Sequence, residues 1–157
     1  MKKILFVCLG NICRSPAAEG VFLDLISQKN LSHEFEVDSA GTGDWHIGEL
    51  PDKRMREAAS RRGVELTSRA RQFKRTDFEK FDLIIVMDNS NFKNVFSMVS
   101  KEEHKAKLRK FTEFSSSSEY DIVPDPYFGG NEGFEEVLDL VEVCSLGLLE
   151  HCQRRGV

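Results

Sequence analysis

Two short apolar segments constrain the fold of this chain most strongly. Residues 3–8 and 82–87 carry runs of Ile, Leu, Val, Phe or Met with no polar residue alternating among them. Such runs are typical of strands that are buried on both faces of a parallel sheet. Parallel strands need long crossover connections, which are usually helices. The two segments therefore predict an α/β chain.

The rest of the pattern places helices between strands. Weaker strands are predicted at residues 35–39 and 106–111, the second at a sheet edge. Ser15 and Pro16 are typical of a helix start, with Ser15 as the N-cap and Pro16 in the first helical position. Further helices are predicted at residues 51–63, after Asp88, and at residues 131–153. This alternation predicts a parallel sheet with helices on both faces, and ligands bound beyond the carboxyl ends of its strands.

Size and charge narrow the class of protein. The 157 residues suit one compact core, so residues 1–157 are expected to form a single domain. The net charge of −4 and the isoelectric point near 5.6 argue against a general nucleic-acid-binding protein. The apolar run near the N-terminus is too short for a signal peptide, and no segment approaches the ~18 apolar residues of a membrane span. We therefore expect a cytoplasmic protein without membrane insertion.

The four cysteines are expected to be thiols in a reducing cytoplasm. They lack the paired Cys/His spacing of structural zinc sites, so neither a metal nor another cofactor is predicted. Cys144 and Cys152 fall on the apolar stripe of the last predicted helix and are expected to pack in the core. The serines at residues 115–118 predict a solvated loop.

The segment from Cys8 to Ser15, called here the Cys8 loop, combines several features that suit phosphate binding. It joins a predicted strand end to a helix N-terminus, where unpaired N–H groups and the helix dipole favour an anion. The same dipole and the nearby Arg14 favour the thiolate form of Cys8. Arg14 also offers a planar fork that matches two phosphate oxygens. The loop is therefore a candidate site for attack on phosphorus by Cys8.

Other residues of the Cys8 loop support this interpretation. Gly10 is expected to adopt a conformation closed to other residues, and Asn11 tolerates left-handed geometry and has a side chain able to tie the loop together. Ser15 is expected to donate a hydrogen bond to Cys8. A nucleotide-binding P-loop is the main alternative, but it needs a longer Gly-rich stretch that ends in Gly-Lys-Ser or Gly-Lys-Thr.

The segment from Val7 to Pro16, VCLGNICRSP, resembles the signature of the low-molecular-weight protein tyrosine phosphatases. Three further segments are similar to that family in the same order: DSAGT from Asp38 with Trp45 after it, MDNSN from Met87, and DPY from Asp125. The resemblance covers essentially the whole chain. It implies a flavodoxin-like three-layer sandwich with a central four-stranded parallel sheet flanked by helices.

The resemblance also implies a mechanism without metal, in which phosphotyrosine and aryl phosphate monoesters are hydrolysed. Cys8 would form a phosphocysteine, and Asp125 would act first as general acid and then as general base. Arg14 would hold the equatorial oxygens together with the backbone of the Cys8 loop. The phosphate-binding residues would be Leu9, Gly10, Asn11, Ile12, Cys13, Arg14 and Ser15.

Further residues receive roles by the same resemblance. Trp45 and Tyr127 would form the aromatic walls of the substrate pocket. His46 is expected at the rim of that pocket for a different reason, because it is next to Trp45 in the sequence. Asn11, Ser15 and Ser39 would form a hydrogen-bond network around the Cys8 loop. Arg69 is assigned to the place where some relatives carry a histidine, so the network must close differently here.

Three roles stay open at this stage. Asp88 is either a helix cap or an anchor for the Asp125 loop or the substrate rim. Phe128 stands where many relatives have a second tyrosine, so a phosphorylation site is absent there. The family resemblance also implies that Cys13 forms a reversible disulfide with Cys8 under oxidation, which would protect the thiolate from irreversible oxidation.

Two alternative functions are open as well. An arsenate reductase on a similar fold would need extra cysteines near the third strand, and residues 82–99 contain none. A non-catalytic phosphoprotein-binding module would not need to keep Asp125. The expected partners are phosphotyrosine proteins, among them an autophosphorylating bacterial tyrosine kinase, with a small phosphate ester as the alternative substrate. A monomer or a weak homodimer through the exposed active-site rim is expected.

Overall fold

A four-stranded, all-parallel sheet with the strand order β2-β1-β3-β4 organises the molecule. The computed structural model describes residues 1–116, 120–127 and 129–154. The strands are β1 (Lys2–Cys8), β2 (Phe35–Gly41), β3 (Leu83–Val86) and β4 (Leu108–Lys110). The predicted buried strands are confirmed as β1 and β3 at the centre, and the predicted edge strand is confirmed as β4. Part of the predicted serine loop (residues 117–118) and Phe128 lie outside the described residues.

Helices cover both faces of the sheet, as predicted. They are α1 (Arg14–Gln28), α2 (Lys53–Ser60), α3 (Asp77–Lys80), α4 (Asn89–Phe96), α5 (Glu102–Lys105) and α6 (Asn131–Arg154). Two single 3₁₀ turns, Ser32–Glu34 and Phe111–Phe114, complete the described elements. Over the described ranges, no helix is both long and apolar enough to cross a membrane.

Alternate residues of β1 enter two separate cores. Ile4 and Phe6 pack with residues of α1, α2 and α6 on one face. Leu5 and Val7 pack with residues of α3 and α4 on the other. All four side chains are fully buried, which explains why β1 reads as a continuous apolar run. The larger core also buries the stripe of α6 that includes Cys144 and Cys152, as predicted.

The predicted start of the first helix is wrong. α1 begins at Arg14, and its N-cap position is occupied by Cys13, which makes no side-chain capping bond. Ser15 does not cap the helix, because its hydroxyl faces Cys8 and Asn11 instead. The sequence pattern located the strand-to-helix junction correctly but assigned the serine to the wrong contact.

The predicted start of the second helix is also shifted. α2 begins at Lys53 rather than at Pro51, because Asp52 is its N-cap and accepts a hydrogen bond from the backbone N–H of Arg54. The helix ends at Ser60, and the following turn closes at Gly63, which has a φ of 80°. Short helices α3 and α5 were not predicted, since four residues carry too little periodicity to be recognised.

The sheet topology determines where a ligand can bind. β1 lies between β2 and β3, so the chain leaves β1 toward one side and returns on its other side. In open parallel sheets, such a reversal leaves a crevice beyond the carboxyl ends of the strands. The Cys8 loop follows β1 at this point, and Asp88 follows β3 at the same edge. The predicted location of the site is therefore consistent with the topology.

Candidate active site

Six of the eight residues of the Cys8 loop are buried, and hydrogen bonds tie the loop to its surroundings. The carbonyl oxygens of Cys8 and Leu9 accept hydrogen bonds from the N–H groups of Thr42 and Gly43, at 2.9 and 2.8 Å. The carbonyl oxygen of Ile12 accepts from the N–H of Asp52 at 2.7 Å. These carbonyl oxygens accept hydrogen bonds from segments outside the loop. The backbone groups of the loop that can bind an anion are its N–H groups.

Two positions allow this close packing. Asn11, rather than Gly10, adopts the left-handed conformation, with a φ of 57°. Gly10 thus lacks the positive φ that its expected conformation required, while its missing side chain makes room for His46, whose Cδ2 would lie 3.0 Å from an added Cβ. At Gly41 an added Cβ would lie 2.8 Å from the carbonyl oxygen of Leu9, so the end of β2 can approach the loop only as glycine.

Cys8 has two hydrogen-bond partners at its sulfur. Its side chain lies at the end of β1 with 2 % of the residue exposed. The Ser15 hydroxyl lies 3.0 Å from Sγ, and the Ser15 N–H donates to Sγ at 3.4 Å. Donors at these positions stabilise a thiolate, both before attack and when it leaves. The predicted contact between Ser15 and Cys8 is present.

Asn11 links the two serines of the predicted network. Its Nδ2 donates to the hydroxyls of Ser15 and Ser39, at 2.8 and 3.0 Å. The backbone N–H of Arg71 donates to Asn11 Oδ1 at 3.0 Å, which defines the orientation of the amide. Since both serine hydroxyls already accept from Asn11, each keeps its own proton to donate elsewhere. For Ser15 the possible acceptors are the Cys8 sulfur at 3.0 Å and the carbonyl oxygen of Ala40 at 3.4 Å, and the sulfur is the nearer.

The network closes at Glu19, which the sequence analysis missed. The Ser39 hydroxyl donates to Glu19 Oε1 at 2.5 Å. Burial raises the pKa of Glu19, against the lowering effect of the Ser39 hydrogen bond. Arg69 instead donates to the carbonyl oxygen of Gly48. A usable signal was the four-residue spacing between Ser15 and Glu19, which places both on one face of α1.

Arg14 joins the Cys8 loop to two later segments. With 3 % of the residue exposed, its Nη1 donates to Asp88 Oδ2 at 2.6 Å and to the carbonyl oxygen of Val123 at 3.0 Å. Its Nη2 lies 3.6 Å from Asp125 Oδ2. Burial opposes the charge, but Cys8 and Asp88 outweigh it, so the pKa of the guanidinium is raised. Arg14 is therefore a cation held at a fixed position beside Cys8.

Asp88 has two contacts rather than one. Its Oδ1 accepts from the N–H of Asn91 at 2.8 Å and caps α4, while its Oδ2 pairs with Arg14. The helix-cap interpretation is thus confirmed, and an ion pair that was not predicted accompanies it. Asp88 thus supports the Cys8 loop at Arg14, and Glu19 supports it through Ser39 and Asn11.

A cavity opens above the Cys8 loop and brings most predicted residues together. Asp125 is partly exposed, and its Oδ1 accepts a hydrogen bond from the N–H of Tyr127 at 3.0 Å. The His46 ring lies 6.3 Å from the Tyr127 ring, and its Nδ1 lies 3.1 Å from Glu49 Oε2. The lining residues are Cys8, Leu9, Gly10, Ile12, Cys13, Arg14, Trp45, His46, Asp125 and Tyr127. Asn11, Ser15, Ser39 and Asp88 are not among these residues.

Cys13 lines the same cavity as Cys8, and neither cysteine is in a disulfide. Burial, followed by the nearby charges of Asp52, Cys8 and Asp125, raises the pKa of the Cys13 thiol. Cys13 is therefore a thiol next to the candidate nucleophile rather than a second thiolate.

A parallel α/β sheet with a Cys-x5-Arg loop at its switch point and no cysteine in residues 82–99 fits a cysteine-dependent phosphatase. The family model for the low molecular weight phosphotyrosine protein phosphatases matches residues 3–156. The chain belongs to this family, and its activity is that of a low molecular weight protein tyrosine phosphatase.

Relatives come from bacteria and eukaryotes. The low molecular weight phosphotyrosine protein phosphatase of Schizosaccharomyces pombe is 44 % identical over 84 % of this chain and 85 % of its own length. The corresponding protein of Streptomyces coelicolor is 41 % identical over 94 % and 91 %. A crystal structure of a protein tyrosine phosphatase from Entamoeba histolytica has a TM-score of 0.96 and 39 % identity, with both chains covered completely.

Proposed function

We propose that Cys8, Arg14 and Asp125 carry out the hydrolysis of phosphotyrosine in this protein. The observation that carries the proposal is their convergence on one cavity, with Arg14 Nη2 lying 3.6 Å from Asp125 Oδ2. A nucleophile, a cation for the phosphoryl oxygens and an acid for the leaving group are the groups this reaction needs.

In the first step the Cys8 thiolate attacks phosphorus in line with the leaving oxygen. The sulfur–phosphorus bond forms as the bond to the phenolic oxygen breaks, and Asp125 transfers its proton to that oxygen. Arg14 and the N–H groups of the Cys8 loop hold the three equatorial oxygens, where charge is spread in the transition state. The products of this step are tyrosine and a phosphocysteine.

In the second step a water molecule attacks the phosphocysteine. The Asp125 carboxylate removes a proton from this water, and the sulfur–phosphorus bond breaks to release inorganic phosphate. The Ser15 hydroxyl, 3.0 Å from Sγ, stabilises the departing thiolate. Asp125 ends the cycle protonated and Cys8 ends it as a thiolate, so the enzyme returns to its starting state.

The walls of the cavity favour an aromatic phosphate ester. The residues that line it include Trp45, Tyr127, Leu9 and Ile12. Rings of this kind stack against a phenyl group, whereas a short alkyl phosphate would leave them without contact. We therefore propose phosphotyrosine proteins as substrates, with an autophosphorylating bacterial tyrosine kinase as one candidate and a small aryl phosphate as the alternative.

Other parts of the assignment belong to the same proposal. Residues 1–157 form one phosphatase domain that acts in the cytoplasm as a monomer or a weak homodimer. The buried free thiols suit a reducing compartment. Trp45, with 66 % of the residue exposed at the rim of the cavity, suits a weak contact between copies.

The direct test is to detect the phosphocysteine. Rapid acid quenching of the Asp125→Ala enzyme with a good aryl phosphate should yield protein that carries one phosphoryl group on Cys8, identified by mass spectrometry. The Cys8→Ser protein should carry none and should be inactive while remaining folded by circular dichroism. Wild-type turnover in the Cys8→Ser protein would refute the proposal.

The same assays separate the alternative functions. Hydrolysis should proceed unchanged in the presence of a metal chelator. A non-catalytic binding module would bind phosphotyrosine peptide without releasing phosphate. An arsenate reductase would consume thiol in proportion to arsenate, which this enzyme should not do.

We also propose that peroxide inactivates this enzyme reversibly through Cys13. Peroxide would oxidise the Cys8 thiolate to a sulfenic acid, with reduction of the peroxide to water or alcohol. The Cys13 thiol would then attack the Cys8 sulfur and form the disulfide with loss of water. Wild-type activity should return on addition of dithiothreitol, whereas the Cys13→Ser enzyme should stay inactive. Full recovery of that variant would contradict the proposal.

A further inference from the structure

Arg54 lies outside the residues that line the cavity, yet it contacts the segment that carries Asp125. It sits in the first turn of α2, and its Nη2 donates to the carbonyl oxygen of Tyr127 at 2.9 Å. The N–H of the same Tyr127 donates to Asp125 Oδ1 at 3.0 Å. The residue that orients the Asp125 carboxylate is therefore itself bound by Arg54.

Asp52 also binds the guanidinium of Arg54, and Nη2 is shared between Asp52 and the carbonyl oxygen of Tyr127. Arg54 Nε lies 3.2 Å from Asp52 Oδ1, and Arg54 Nη2 lies 3.0 Å from Asp52 Oδ2. This two-point contact between planar groups defines both position and orientation. Asp52 is in turn bound to the Cys8 loop, because its N–H donates to the carbonyl oxygen of Ile12 at 2.7 Å.

Two aromatic rings restrict the guanidinium further. Its central carbon lies 4.7 Å from the ring centroid of Phe134, which is buried in α6, and 5.6 Å from that of Tyr127. Contacts of this kind favour a guanidinium over an ammonium group, which lacks the planar surface. The side chain of Arg54 is thus held by α2, α6 and the Asp125 segment together.

We propose that Asp52 and Arg54 form a strut that sets the distance between the Cys8 loop and Asp125, with Arg54 as a positioning residue for the general acid. The inference rests on the proposed role of Asp125. The strut runs from the carbonyl oxygen of Ile12 through Asp52 and Arg54 to Tyr127, and Tyr127 orients the acid.

The strut explains how an exposed acid is held at a defined place. Asp125 is close to half exposed, and its ion-pair partner Arg14 is needed for the phosphate. When substrate binds, the Arg14 guanidinium would bind the phosphoryl oxygens, and its interaction with Asp125 would become weaker. The contact with Arg54 does not involve the substrate, so it persists through the reaction. Loss of the strut should misplace the proton donor and leave the nucleophile in place.

The test compares aryl esters with poor and good leaving groups. In the Arg54→Met enzyme, kcat/KM for phenyl phosphate should fall about 10-fold or more, because proton transfer to a poor leaving group depends on a well-placed acid. For p-nitrophenyl phosphate the change should stay within about 2-fold, since that leaving group needs little protonation. For phenyl phosphate, the kcat/KM of Arg54→Lys should lie between those of the wild type and Arg54→Met, because lysine keeps the charge and loses the fork of the guanidinium.

Arg56 offers a matched control on the same helix. Its Nε donates to the carbonyl oxygen of Pro51 at 2.9 Å, a contact within the loop that precedes α2. Arg56→Met should therefore leave kcat/KM nearly unchanged for both esters. Inhibition by inorganic phosphate should be the same in both methionine variants and the wild type, because the Cys8 loop is unchanged.

A double-mutant cycle separates positioning from general destabilisation. In an Asp125→Asn background, Arg54→Met should have no further effect on phenyl phosphate, because the group it positions is already gone. The proposal would be overturned if the losses in kcat/KM of the two single variants multiply in the double variant. It would also be overturned if Arg54→Met lowers kcat/KM equally for both esters. If Arg54→Met does not fold, Asp52→Asn provides a second variant with the same expected selectivity. An Asp125→Asn enzyme that cleaves phenyl phosphate normally would instead refute the acid role itself.

Discussion

The two loops that meet at the active site are built in different ways. The Cys8 loop is buried and is held largely by uncharged hydrogen bonds, such as those of Asn11 to Ser15 and Ser39. The segment at residues 120–127 is more exposed and is held at Asp125 and Tyr127 by two arginines, Arg14 and Arg54. The Cys8 loop is mostly buried, whereas the other segment enters the core at Val123 and is held near its acid by charged side chains.

This difference matches what each loop has to do. An anion-binding loop acts best when its donors are already aligned and need no reorganisation during the reaction. A general acid must let substrate in and product out, so a segment that is exposed at the acid itself is suitable. The arginine contacts limit how far such a segment can move. The comparison predicts different consequences for changes in the two loops.

The largest expected effect is on the exposed loop. Asp125→Asn should lower kcat/KM for phenyl phosphate by about 10²–10⁴-fold, because the leaving phenolate is no longer protonated. The effect on p-nitrophenyl phosphate should be much smaller, and inhibition by inorganic phosphate should be at least as strong as in the wild type. Steady-state kinetics over a series of aryl phosphates measures both. An equal loss of kcat/KM for every ester in the series would contradict the separate roles of the two loops.

The second effect tests the buried loop. Arg14→Lys keeps the charge and loses the fork that matches two phosphoryl oxygens, so kcat/KM should fall by about 10²–10³-fold. This loss should be similar for good and poor leaving groups, and inhibition by inorganic phosphate should weaken as well. Arg61→Lys, at a surface ion pair with Glu135, is the matched control and should be active. A loss restricted to poor leaving groups would assign Arg14 to the acid loop instead.

The smallest effect concerns Glu19, which buries a carboxylate behind the Cys8 loop. Burial raises its pKa in the folded protein, so its contribution to stability is fully present below the unfolded pKa and is lost as pH rises through the folded pKa. The wild type should therefore gain stability relative to Glu19→Gln as the pH falls. At neutral pH the free energies of unfolding of the two proteins should differ by the contribution of one buried hydrogen bond, ~1 kcal/mol.

Urea unfolding of the wild type and Glu19→Gln at a series of pH values from about 4 to 8 measures this difference, since that range spans the titration of a raised carboxyl pKa. Because glutamine does not titrate, the difference between the two proteins isolates the carboxylate. A difference in stability that is independent of pH, or that grows in favour of the wild type as pH rises, would contradict the prediction.

Most of the fold and the Cys8 loop could be predicted from local sequence. The central strands β1 and β3 are short apolar runs, and α6 carries a regular apolar stripe. The Cys8 loop is contiguous, so its cysteine, left-handed asparagine and arginine are brought together by one strand end and one helix start. Asp125 was less visible in the chain itself, because Pro-Asp-Pro is also a common turn sequence. Its assignment came from the family resemblance.

What sequence alone missed lies in the contacts between distant segments. Arg71 and Asn11 are 60 positions apart, Arg54 and Tyr127 are 73 apart, and both pairs are joined by hydrogen bonds that involve backbone atoms. Backbone donors and acceptors leave no mark on residue type, so no pattern identifies them. The hydroxyl of Ser15 was misassigned for a related reason, because a capping serine and one that faces a thiolate look the same in a sequence.

The amino-acid sequence by itself determined the order of strands and helices and the composition of the Cys8 loop, because both depend on neighbours along the chain. Only the tertiary structure decided which distant residues support that loop. The strand order β2-β1-β3-β4 brings the ends of β1, β2 and β3 to one edge, and the segments that follow them meet there. The contacts described above for Glu19, Asp52, Arg54 and Arg71 form at this edge. Burial and the path of the folded chain determine these contacts, and residue type does not.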